Sequence, residues 1–462
     1  MSNDPGDRPN GDPDEPRDPQ DSGQNPFKGT PFEQIFSAFG GGLPGMGGPG
    51  GTGGQLPDFS ALMGQMQAMM APHEGSVNWT LAKDVARRAV AAEPDPTPSE
   101  ADRSTVADAL RLADHWLDSA TDLPSGVHTP AVWSRAEWVE QTMPVWQRLV
   151  EPVAEHVVGA MGNALPAEAK AMAGPLLGLL GQAGGAMFGQ QVGQAVGGLA
   201  GEVLSASDIG LPLGPEGKAA LVPANVKDFA AGLDVGQDDV LLYLALREAA
   251  HQRLFAHVPW LRGHLLAAVE DYGRGMSIDV SKIESSMRDL DPSNMDAIQE
   301  ALDGGLFEPE KSPAQQAALT RLETTLALVE GWVDEVVGQA TEQRMPAAGK
   351  LQEAIRRRRA AGGPAESTFA ALVGLELRPR RLRDASALWG SLRSREGAAA
   401  RDAVWAHPDL LPTPADLDDP LGFGEGRTDA EVLTDDEFDA ALAELLDGED
   451  GSGPASPGPT EA

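Results

Sequence analysis

The chain has 462 residues, a formal charge of −35 and no cysteine. Without thiols there is no disulfide framework and no thiolate metal site, and the acidic balance excludes general binding to nucleic acid or an anionic membrane, because both would be repelled. The opening MSNDPGDRPNGDPDEP has neither a basic stretch nor an apolar core, so no export signal is expected and a cytoplasmic address is.

Residues 1–75 read as a disordered tail rich in Gly, Pro and Asp, which cannot bury enough apolar surface to offset ordering entropy. Two apolar islands interrupt it, Pro26 to Phe39 and the weakly amphipathic Phe59 to Met70. The body is expected over 76–412, starting near Val77-Asn78-Trp79, with helices over Thr80 to Ala92 and Ser99 to Ala120, the second opened by Ser-Glu-Ala-Asp capping chemistry. Ala131 to Gly162 reads as one long or twice-broken helical region whose Trp133, Trp138 and Trp146 face the core.

Ala171 to Gly201 carries no charge, but Pro175 and its glutamines suit hydrocarbon poorly and no basic flank supports insertion, so no membrane span is expected. Its distinctive feature is a glycine row at four-residue spacing, Gly181, Gly185, Gly189, Gly193, Gly197 and Gly201. An interior glycine costs a helix about 1 kcal/mol relative to alanine, so the row demands close packing, and the helix at 238–258 is its expected occupant. Ser207 to Ala231, rich in Pro and Gly, reads as extended or looped, with edge strands. The chain as a whole reads as mainly α with a minor β component.

Asp238 to Val258 is apolar around most of a helical wheel, with Asp238 and Asp239 in its first turn and Pro259 beyond its end, so it reads as a buried helix. Within it Arg247, Glu248 and His251 share an arc of about 100°. This is the geometry of H-E-x-x-H, in which two imidazoles hold zinc and the glutamate activates water, except that the first position is Arg247. A guanidinium has no lone pair for a metal. The plain alternative is a buried Arg-Glu pair with a hydrogen-bonded core histidine. His257 lies six residues after His251, which on one helix turns the imidazoles about 120° apart, so neither it nor His264 is expected as a ligand.

Short helices are expected at Val280 to Leu290 and Asn294 to Leu302, and a long helix runs from Ser312-Pro313 to about Ala340. That long helix carries Glu330 among apolar neighbours, where a buried carboxylate needs a cation: zinc, or Arg247. The arginine run 356–359 is expected as a solvated face at a helix C-terminus, the alternative being that it holds the acidic carboxy tail or an anionic ligand. Beyond 412 the chain turns acidic and disordered. Thr434 to Glu437 form a capping box there, and Phe438, Ala441, Leu442 and Leu445 stripe a short helix suited to docking on a partner.

The stretch REAAHQRLFAHVPWLRGHL, with WSRAEWV at 133–139, SDIGLPLGP at 207–215, LVEGWVD at 328–334, GLELRPRRLRDA at 374–385 and WAHPDLLP at 405–412, resembles the zincin-like family of actinobacterial proteins. Those proteins are described as zinc-dependent metalloproteases or hydrolases and are related to a coenzyme-F420-biosynthesis-associated group. The resemblance implies a zincin-like fold, Glu248 as general base, His251 as second zinc ligand and Glu330 as third. Arg247 and Trp332 stand where those members carry histidine.

Two function classes stay open. One is a zinc-dependent hydrolase or peptidase, with zinc on His251, Glu330 and an unidentified third group. The other is a metal-free pseudo-enzyme that serves as a protein-interaction module, taking a peptide or protein partner through its groove or tails. The residues favour the second and the resemblance the first, since catalytic zinc normally has three protein ligands. Arg247 is expected to pair with Glu330, Glu248 or both.

Overall fold

The computed structural model describes residues 73, 75–163, 174–274, 312–361, 368, 372 and 381–424. Both apolar islands, the helices expected at 280–302 and the acidic helix after Thr434 lie outside the described residues.

The chain is mainly α, as expected. Its helices are α1 (Trp79–Val90) and α2 (Glu100–Leu117), α3 (Arg135–Asn163) and α4 (Gly174–Ala200), then α5 (Pro223–Ala231), α6 (Gln237–His257) and α7 (Leu261–Arg274). There follow α8 (Pro313–Thr341), α9 (Ala348–Ala360), α10 (Leu382–Glu396), α11 (Ala398–Ala403) and α12 (Pro414–Asp418). The strands are β1 (Thr129–Val132) and β2 (Lys218–Leu221), paired in parallel with Thr129 opposite Lys218 and Val132 opposite Leu221.

Local chemistry sets the ends as the sequence indicated. Ser99 caps α2 in a reciprocal box with Asp102, and Ser312 caps α8 in a box with Gln315, with Pro313 in the first turn. Two expectations change. The region after Ala131 begins as strand β1, with the helix starting only at Arg135, because a four-residue strand shows no period-two signal. The looped segment also ends in helix α5, which starts at Pro223 where the missing N–H is not needed.

The glycine row packs on α1, not on α6. A Cβ at Gly189 would meet the Asn78 carbonyl oxygen at 2.4 Å, one at Gly193 the Ala82 carbonyl oxygen at 2.4 Å, and one at Gly197 the Ala89 Cβ at 2.7 Å. Ala82, Ala86 and Ala89 give α1 a face flat enough for two backbones to approach.

Helix α6 is the central element, buried from Val240 through Phe255 except at Leu241 and Leu242. It contacts α2, α8, α5, α9 and β2. The expected tryptophans Trp133, Trp138 and Trp146 are core residues, and burial continues to Leu417 and Phe423. Among the described residues no helix is long and apolar enough to cross a membrane.

Candidate functional site

Four parts of the chain converge in the interior. Helix α6 brings Arg247, Glu248 and His251, α8 brings Glu330 and Asp334, and α9 brings Arg356, Arg358 and Arg359. The segment leading to β2 lays Ser207, Asp208 and Gly210 over them. Gly210 has φ +78°, and a Cβ there would meet Glu330 Oε1 at 2.9 Å. Only glycine combines that backbone with that approach.

Glu330 is the hub. Arg247 Nη2 donates to its Oε2 at 2.6 Å and Arg359 Nη2 to its Oε1 at 2.9 Å. His251 Nδ1 donates to the Arg247 carbonyl oxygen at 2.8 Å, leaving Nε2 facing Glu330 Oε1 at 2.9 Å. Burial alone would raise the Glu330 carboxyl, but Arg359, His251 and Arg247 outweigh it and hold it at about 2.

The two guanidiniums are not equivalent. Burial opposes the charge of Arg247, yet Glu330, Tyr243 and Asp334 overcome it and raise the group above its ordinary value. Arg359 is lowered, by burial first, because Glu330 and Asp208 are countered by the like charges of Arg247 and Arg358. Arg247 Nη1 also faces Asp334 Oδ1 at 4.0 Å, a charge contact in which neither atom makes a hydrogen bond. Asp334 Oδ2 instead accepts from Arg356 Nη2 at 2.5 Å, Ser386 Oγ at 2.8 Å and Gln352 Nε2 at 2.9 Å.

Glu248 is fully buried and turned to the overlying segment. Its Oε2 accepts from the Ser207 backbone N–H and its Oε1 from Gln252 Nε2, both at 3.0 Å. Burial dominates and raises its pKa, against the opposing influence of His251 and hydrogen bonds from Ser205, Gln252 and Ser207. Arg247 therefore gives its hydrogen bond to Glu330, the first of the two expected partners.

Trp332 points to another cluster. Its Nε1 donates to Asp402 Oδ1 at 2.9 Å and its ring lies under Arg401, whose Nη1 donates to Glu335 Oε2 at 2.5 Å. Beside it Gly331 lets α10 close on α8, since a Cβ there would meet the Ala385 Cβ at 2.5 Å. Trp332 thus locks α8, and Glu330 with it. His257 is exposed at the end of α6, with Nε2 3.0 Å from the Ser125 carbonyl oxygen, and His264 stacks edge-on against Trp260. Neither reaches the cluster.

The arginine run corrects an expectation. Arg357 alone stays on the solvated face, paired with Glu353. Arg356 reaches Asp334, Arg358 reaches Asp208 Oδ2 at 2.9 Å, and Arg359 bonds both Glu330 and the Asp208 carbonyl oxygen. Asp208, Asp334 and these three arginines were not singled out as site residues. The available signal was Asp334 one helical turn after Glu330, a second carboxylate on the same buried face that needs its own cation.

These residues do not fit a zinc ion. Catalytic zinc normally has three protein ligands, whereas His251 and Glu330 supply two donors and the other motif position is Arg247, which has no lone pair to give. Both Glu330 oxygens already serve guanidiniums, and a dication beside them would meet two fixed positive charges. Among the described residues no group of three or more His, Asp or Glu side chains is placed to hold a metal ion.

The fold is similar to that of a Chloroflexus aurantiacus protein described as "a putative hydrolase with a novel fold", with a TM-score of 0.55 and 20% identity over 77% of this chain and 99% of that one. No curated protein matches the sequence. Residues 77–423 match the family described as zincin-like metallopeptidase. That span includes the motif helix, the Glu330 helix and the arginine helix together, so the chain belongs to the zincin-like metallopeptidase family.

Proposed function

We propose that this chain is a metal-free member of its family, in which an arginine-centred ion-pair core stands in for the dication. Its role on this reading is to bind a peptide or protein partner in the cytoplasm, through its groove or its tails, as a pseudo-enzyme. The supporting observation is that Glu330, expected as third zinc ligand, gives both carboxylate oxygens to guanidiniums, Oε2 to Arg247 at 2.6 Å and Oε1 to Arg359 at 2.9 Å. A guanidinium stays charged at any ordinary pH, so this occupant does not titrate away. The net charge of −35 disfavours nucleic acid as the partner.

A second reading, zinc-dependent peptide hydrolysis with Glu248 as general base and zinc on His251 and Glu330, draws on family membership and on the hydrolase description of the Chloroflexus protein. Incubating the full chain and its Glu248→Gln variant with unfolded protein substrates, with and without added zinc, separates the two. The metal-free reading expects no cleavage that depends on zinc. Zinc-dependent cleavage abolished by Glu248→Gln would establish the second reading in its place.

A further inference from the structure

Arg247 and Arg359 approach Glu330 from different helices and take different oxygens, Oε2 and Oε1. Arg359 belongs to a clamp. Its helix α9 ends with Arg358 on the Asp208 carboxylate and the Glu202 carbonyl oxygen, Arg359 on the Asp208 carbonyl oxygen, and Arg356 on Asp334. These contacts tie α9 to α8 and to the segment over the site, with the Arg359 side chain only 11% exposed. Removing Arg247 therefore leaves Glu330 Oε1 bonded to Arg359 and facing His251.

We propose that Arg359 is a second, independent block on the place a metal would take, so that restoring an imidazole at position 247 does not by itself create a zinc site. This rests on the metal-free reading above. An imidazole at 247 supplies the missing lone pair, but the incoming dication must then displace one guanidinium from Glu330 or sit against it. Like charges held that close, in a poorly solvated interior, weaken binding by at least about 100-fold. Arg359 is a positioning residue that acts by holding the Glu330 carboxylate.

The test is a zinc titration, by competition with a chromophoric chelator, of the full chain in five forms. These are the unaltered protein, Arg247→His, Arg359→Met, Arg247→His/Arg359→Met and Arg247→His/Arg359→Lys, each checked for helical circular dichroism. The expected result is no stoichiometric binding in the unaltered protein or in Arg359→Met, and weak binding in Arg247→His. Binding at least about 100-fold tighter is expected in Arg247→His/Arg359→Met, lost again when lysine restores the charge. Equal affinity of Arg247→His and Arg247→His/Arg359→Met overturns the proposal while leaving the metal-free reading intact. Equal affinity of the methionine and lysine double variants overturns it too, because charge would then not be the block. Tight zinc in the unaltered protein refutes the metal-free reading itself. Should Arg247→His/Arg359→Met fail to fold alone, zinc but not magnesium is expected to restore its helical signal, and failure of zinc to do so overturns the proposal.

Discussion

Arg247 Nη2 and Glu330 Oε2 stand 2.6 Å apart in the interior, the Arg247 side chain 6% and the Glu330 side chain 1% exposed. A pair this dry is costly to bury and costly to break. Removing the carboxylate by Glu330→Gln strands Arg247 and Arg359 against a neutral amide, which is expected to cost about 3–5 kcal/mol of stability. Urea unfolding followed by circular dichroism reads this directly. A loss below about 1 kcal/mol would put the pair among contacts that contribute little.

The same carboxylate sets an acid limb. Its folded pKa, about 2, lies below the ordinary value, so its stabilisation is complete above the usual carboxylate range and disappears as pH falls through about 2. The stability gap between the unaltered chain and Glu330→Gln is therefore expected to shrink from about pH 5 down to about pH 2. A gap unchanged over that window would show that Glu330 is not ionised against its partners.

Glu248 carries the opposite sign. Its folded pKa is raised, so its contribution is present at acid pH and is lost as pH rises through the raised value. Glu248→Gln removes the ionisable group and keeps one oxygen to accept from the Ser207 N–H, while Gln252 must turn its own amide oxygen toward the new NH2 to keep the second bond. The variant is expected to melt at or above the unaltered temperature at neutral and alkaline pH. Melting clearly below it would mean that the ionised form is held by a cation.

The glycine row makes a prediction away from the site. Gly198→Ala meets nothing within 4 Å and is expected to stabilise by up to about 1 kcal/mol through helix propensity. Gly193→Ala drives a methyl to 2.4 Å from a backbone oxygen and is expected to destabilise by more than about 1 kcal/mol, overriding the same propensity gain. Equal effects of the two would deny the close approach of α1 and α4.

Helix α6, the capping box at Ser99, the start of the long helix at Ser312-Pro313 and the tryptophan core were legible in the sequence, and Glu330 was one of the two carboxylates expected to pair with Arg247. Each rests on local spacing or on the rule that a buried charge needs a partner. The partner of the glycine row was not, because a row of glycines defines a groove without naming its occupant. The alanines of α1 at three- and four-residue spacing were the overlooked complement. The arginines at 356–359 misled for a related reason, since a basic run at a helix end suits the dipole and solvent equally well. What turns three of them inward is the set of carboxylates at 208, 330 and 334, which lie far from them in sequence and meet them only in the fold.

The most direct measurement is the zinc content of the full chain, purified without chelator or metal-affinity resin, by elemental mass spectrometry against protein concentration. With Arg247 and Arg359 holding Glu330, the expected result is no stoichiometric zinc. Zinc near one atom per chain, lost together with His251 in a His251→Ala variant, would contradict the account.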